Sequence, residues 1–196
     1  MKKIASTLFA LALLLALSRP AVADYDPQAD YLSIMLRAAA VGDTEAGRAA
    51  AMCRNEKIDD ENTGEVKIDF DELFLLAKII YAEAGSPQLG LEWKMCVGEV
   101  VLNRVASPEF PDSIYDVIYE PGQYHGVDSF EFIYSLTPSS ECVEAALRLL
   151  EGERLLAPWV VFQANFKQGG GVYAEYYDSE LGYTYFCSSS QPELYW

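Results

Sequence analysis

The chain reads as an α+β domain, with helices first and a small antiparallel sheet at its C-terminal end. Two observations predict this. Residues 69–105 and 140–150 repeat apolar positions at spacings of three and four, whereas 159–163 and 183–187 are β-branched and aromatic. A third observation, the Gly/Pro punctuation at Gly85-Ser86-Pro87, Pro121-Gly122 and Gly152, marks where elements give way to one another.

The first 23 residues read as an address rather than as structure. Lys2 and Lys3 form a positive start, residues 4–17 an apolar stretch, and Ala21-Val22-Ala23 a small-x-small cleavage site. The apolar stretch is too short to span a bilayer comfortably. No cysteine stands at the cleavage point, so a lipoprotein anchor is not expected. The expectation is export through a secretory pathway, without stable membrane insertion after cleavage. Loss of Lys2, Lys3 and Arg19 takes the formal net charge from −16 to −19. Such a surface exerts no long-range attraction on nucleic acid or anionic lipid. An anionic polymer would be held only by short-range contacts, which thirteen tyrosines, nine phenylalanines and three tryptophans can supply.

Residues 24–68 read as a short acidic helical hairpin, 27–41 and 44–55 around Gly42-Asp43, that packs on the main domain or acts as a spacer. From Asp69 the main domain begins and runs to residue 196. Asp69 and Glu72 have the spacing of a capping box, and the helix they open continues through Leu73, Leu76, Ile79 and Ile80 to Glu83. Counting back from Glu83 by three, four and seven lands on Ile80, Ile79 and Leu76. The acid is therefore expected on the apolar face, where burial would raise its pKa and fit it for general acid catalysis. A second helix over 89–105 places Trp93, Cys96, Val97, Val100 and Val101 on one face. The Pro-punctuated stretch 110–119 reads as ordered loop and short helix, leading to Gln123, Tyr124 and His125. A further helix covers 140–150 and stops at Gly152. Strand character follows at 159–163, at Val172-Tyr173 and at 183–187, with 168–171 as the turn between paired strands.

Cys53, Cys96, Cys142 and Cys187 all fall in the exported part, where disulfides persist and three pairings are open. Cys96 and Cys142 also suit small buried positions. No CxxC occurs and His125 is the single histidine, so neither a metal nor any other cofactor is expected. A Cys–His hydrolase is disfavoured, because neither cysteine opens a helix beside a basic neighbour.

The blocks Leu76-Ala77-Lys78-Ile79-Ile80-Tyr81-Ala82-Glu83-Ala84, Val97-Gly98-Glu99-Val100-Val101-Leu102-Asn103-Arg104-Val105 and Ser107-Pro108-Glu109-Phe110-Pro111, with Gln123-Tyr124 and the terminal Tyr185-Phe186-Cys187, resemble the SleB-type cell wall hydrolases, the catalytic domains of spore cortex-lytic enzymes. The resemblance covers residues 70–188. It implies a helical, lysozyme-like catalytic domain acting on peptidoglycan glycan strands as a lytic transglycosylase, with Glu83 as catalytic acid. The chain departs from the family pattern at Trp93 and Lys94, and after Phe162, where Gln163-Ala164-Asn165-Phe166 and three glycines replace an asparagine-proline loop. Residues 24–68 do not look like the peptidoglycan-binding module of typical spore enzymes, which leaves spore and vegetative wall open as substrates.

The inventory agrees with that chemistry. Cleaving a glycosidic bond requires a proton on the leaving oxygen while positive charge grows at the anomeric carbon. Only Glu83 combines an apolar helical face with a neighbouring loop. Glu92, Glu99 and Asn103 share one stripe of the next helix and either line the same cleft or form a solvated face. Gln123, Tyr124, Phe162 and Gln163 complete the candidate substrate-binding set, with Glu99 as the alternative acid. Asn103 and Arg104 are explained by helix capping and dipole complementarity, and Tyr81 and Trp93 by the core. The competing reading is a non-catalytic wall-binding or interaction protein on the same fold; an acid on an apolar face argues for the enzyme.

Overall fold

The computed structural model describes residues 29–124 and 130–195. The signal-peptide reading of residues 1–23, the expected helix start at Pro27 and the residue His125 lie outside them. Residues 31–196 cluster as one compact unit. Its elements in order are α1 (Tyr31–Val41), α2 (Thr44–Glu61), α3 (Phe70–Ala84), α4 (Leu91–Ala106), α5 (Ile114–Tyr119), α6 (Phe130–Ser135), α7 (Ser140–Leu150), β1 (Val160–Ala164), β2 (Gly171–Asp178), β3 (Gly182–Ser188) and a terminal 3-10 turn (Pro192–Tyr195). The α+β class holds.

The core is the bundle of α3, α4 and α7. Leu76, Ile79 and Ile80 of α3, Val100 and Val101 of α4, and Cys142, Ala145, Ala146 and Leu149 of α7 are completely buried. Gly98 sets how closely the three helices approach. A Cβ there would lie 2.6 Å from both Ile80 Cδ1 and Leu149 Cδ1, so any larger residue must push a neighbouring helix away. Asp69 caps α3 as expected, its Oδ1 accepting from the Asp71 and Glu72 amides at 2.8 and 3.1 Å. In α2, Gly47 packs directly beneath the Phe70 ring. The Asn55 amide exchanges two hydrogen bonds with the Ile68 backbone. The hairpin of α1 and α2 is thereby seated on the first turn of α3.

The sheet differs from the expected pairing. Its order is β1-β3-β2, antiparallel throughout, with Gln163 opposite Phe186 and Tyr177 opposite Tyr183. The tight hairpin turn is at 179–181, and the glycine run 168–171 carries the chain from one edge strand to the other. Gly169 has φ +58°, and a Cβ on it would meet the Ser188 carbonyl at 2.2 Å. The strand β2 also extends well beyond Val172-Tyr173. On one face Tyr176 packs between Trp93 and Phe186, with ring centroids 5.3 and 5.8 Å away. On the other, Tyr177, Tyr183 and Tyr185 form a ladder spaced by 4.8 and 5.5 Å. Among the described residues no helix is long and apolar enough to cross a membrane.

Candidate active site

Glu83 stands on the last turn of α3, and its side chain emerges from the helix bundle. The expected burial is not observed: Ile79 and Ile80 are completely buried, but Glu83 is exposed. The reason is the helix end. One turn beyond Ile80 the chain leaves the bundle through 85–90, and among the described residues no helix covers the end of the apolar stripe.

The surroundings of Glu83 come from three other elements. Gln163, on β1, donates from Nε2 to Glu83 Oε2 across a long 3.4 Å. Tyr124, after α5, is buried, and its phenol is pushed up chiefly by burial, with Arg104 opposing and the Glu83 charge adding. It therefore remains an O–H donor at neutral pH. Arg104, at the end of α4, has its guanidinium carbon 5.2 Å from the ring centroids of both Tyr124 and Phe110, while Nε donates to the Val161 carbonyl at 2.7 Å. Phe110 in turn meets Phe162 edge-on at 6.2 Å.

These residues carry open hydrogen-bonding valences. Among the described residues, the buried side-chain polar atoms without a partner are Glu99 Oε1, Arg104 Nη1, Glu120 Oε2, Tyr124 Oη and Gln163 Oε1. Three of them belong to the group around Glu83. Buried unpartnered polar atoms are costly and uncommon in a folded protein, and these three lie beneath the surface around Glu83.

Arg104 stands in the last turn of α4, as dipole complementarity requires, but the capping role is a correction: neither the Arg104 nor the Asn103 side chain caps the helix. Asn103 Nδ2 donates to the Ala157 and Val160 carbonyls, each at 3.0 Å, so this pair fastens α4 to β1 and to the segment before it. Their partners lie more than fifty residues away, which local sequence does not reveal. Lys94 was visible only as a departure from the family pattern. It is completely buried, forms a 3.0 Å ion pair with Glu141, and donates to the Ser86 and Leu89 carbonyls. The connection that follows Glu83 is held in shape by it.

The remaining candidates separate. Glu99 is completely buried, and its Oε2 accepts from the Leu155 and Leu156 amides at 2.7 and 3.0 Å. Burial pushes its carboxyl up, against the pull of those amides and of Arg154. It holds the segment leading to β1 and does not face the opening, whereas Glu92 is exposed, so the expected stripe is not one surface. Gln123 is half-buried in a turn whose amide donates to the Glu120 carbonyl at 3.2 Å. Trp93 belongs to the core, as expected. All four cysteines are buried as thiols, and burial pushes Cys96 up to about 11, which disfavours a thiolate nucleophile.

Comparison with known proteins adds a family. A profile of the cell wall hydrolase family matches residues 90–196, beginning after Glu83. The chain is 37% identical over 84 residues to a spore cortex-lytic enzyme of Halalkalibacterium halodurans, covering 42% of this chain and 24% of that protein. It is 36% identical over 83 residues to those of Bacillus cereus and Bacillus subtilis, covering 42% of this chain and 30% and 26% of those proteins. The chain thus matches under a third of the length of these curated relatives. No solved structure matches.

Proposed function

Because this chain belongs to the cell wall hydrolase family, we propose that it degrades peptidoglycan by cleaving the MurNAc–GlcNAc bond of the glycan strand, as an exported bacterial lytic transglycosylase. The observation that carries this reading is the meeting of Glu83 with Gln163, Tyr124 and Arg104 at the end of α3. A glycan lying across this opening would cover Glu83 and replace the water around it, which favours the protonated acid. Glu83 then protonates the leaving oxygen. The muramic C6 hydroxyl attacks the anomeric carbon and gives its proton to the Glu83 carboxylate, so one carboxyl serves as acid and then as base. Gln163, whose Nε2 already reaches Glu83, is the side chain placed to meet the sugar's hydroxyl and acetamido groups.

The intramolecular route is favoured over attack by water for a specific reason. Of the two other acids assigned to this region, Glu99 is engaged by two backbone amides and is not placed to activate a water, and Glu92 stands exposed in the first turn of α4, at the opposite end from Arg104. The test of the substrate and bond is incubation of the purified protein with purified peptidoglycan. Release of soluble glycan fragments is expected. Release of free peptides alone would overturn the reading.

A further inference from the structure

A cavity whose lining does not include Glu83 opens on the same helix, and the glycan reading does not use it. It encloses about 350 Å³, at the lower end of the range for small-molecule sites, where the α1–α2 turn, α3 and α6 with its following segment meet. Its walls are largely aromatic and aliphatic, with Phe74, Tyr115, Tyr119, Ile133 and Leu136 among them.

Its charges do not balance. Arg48 and Asp71 at the edge neutralise one another through two hydrogen bonds of 2.9 and 3.0 Å. Lys78 is left. It is 6% exposed, yet no carboxylate among the described residues pairs with it. Its Nζ donates to the Tyr134 carbonyl at 2.8 Å and lies 4.3 Å and 5.2 Å from the Phe74 and Tyr134 ring centroids. An ammonium has three protons to donate, and the other two find no acceptor among the described residues. Burying a cation with so little compensation is expensive, and burial lowers the Lys78 pKa accordingly. An anion in the cavity would remove that cost.

We propose that this cavity binds the carboxylate of a small ligand with an apolar body, on the scale of the C-terminal residues of a short peptide, with Lys78 as its counter-ion. One uncompensated ammonium matches one negative charge. A dianion such as phosphate would meet a chain of formal net charge −16 with a single cation to hold it. The apolar walls favour a body larger than that of a bare ion, and the cavity volume limits it.

The test uses the full chain, with N-acetyl-alanyl-alanine, its C-terminal amide and acetate as probes; binding is read by isothermal titration calorimetry, and in the wild type also by the Lys78 side-chain NMR signals. The dipeptide acid should cause a saturable shift and raise the Lys78 titration midpoint, since a carboxylate beside the ammonium stabilises its charged form. The amide should bind roughly tenfold more weakly or worse. In Lys78→Met, the preference for acid over amide should vanish. Equal binding of acid and amide, no saturable binding, or a preference that survives Lys78→Met would overturn the site. Acetate binding as tightly as the dipeptide would overturn the assignment of an apolar body. The acid–amide comparison is made on the wild-type protein, so a poorly folded variant does not rescue the proposal.

Discussion

Glu83 and Glu99 stand on neighbouring helices of one bundle, and their surroundings are opposite. Glu83 is exposed on the last turn of α3, beside Arg104, Tyr124 and Gln163, each with a buried polar atom still unpartnered. Glu99 is sealed in the middle of α4 and spends one oxygen on two backbone amides. Glu99 thus has the desolvated environment expected of a catalytic acid but no route to substrate. On the proposed reading, substrate reaches Glu83 and supplies its desolvation on binding. Burial alone does not identify a catalytic carboxylate; the neighbours and the opening decide.

The largest expected effect tests that division directly. Glu83→Gln keeps shape and hydrogen bonding but loses the transferable proton, so turnover on purified peptidoglycan should fall by about 10²–10⁴ with an unchanged thermal melt. A folded Glu83→Gln that retains most activity would move the acid elsewhere. For Glu99 the expectation inverts. Glu99→Ala strands the Leu155 and Leu156 amides and should destabilise the fold by roughly 2 kcal/mol in urea denaturation. Turnover per folded molecule should then stay within about tenfold of wild type. A catalytic collapse without a stability loss would place Glu99 in the reaction.

Gln163→Ala sharpens the same comparison at smaller scale. It removes the side chain facing Glu83 while β1 keeps its pairing, so kcat/KM should drop roughly tenfold without a change in stability. An unchanged kcat/KM would remove Gln163 from the site. The smallest effect is a pH dependence of stability. The Glu99 carboxyl is raised in the folded state, so between its ordinary value and the raised one the folded protein holds more protons than the unfolded chain. The stability contributed by this group therefore grows as pH falls through the folded value. Relative to Glu99→Gln, which cannot titrate, the wild type should gain stability on acidification across that window. A gap independent of pH would contradict the assigned shift.

Local signals in the sequence carried the helices well. Asp69 capping, the Leu76-Ile79-Ile80 stripe and the Gly152 stop delimit α3 and α7 because those features act within one turn. What the sequence hid was set by distant partners. The 168–171 run looks like a hairpin turn, yet β3 pairs with both edge strands, and no neighbouring residue shows that the last strand lies in the centre. Asn103 and Arg104 read as helix-end residues because their acceptors are on β1. The exposure of Glu83 was hidden as well, since periodicity reports which face a residue shares but not whether another element covers that face. The helix α6 was not anticipated at all.

The most direct test of the central claim is mass analysis of the glycan ends released from purified peptidoglycan. One carboxyl acting as acid and then base, with the substrate's own hydroxyl as nucleophile, predicts 1,6-anhydromuramic ends, one water lighter than hydrolytic ends and resistant to borohydride. Muropeptides that all carry free, reducible ends would contradict it and require a second group to position water.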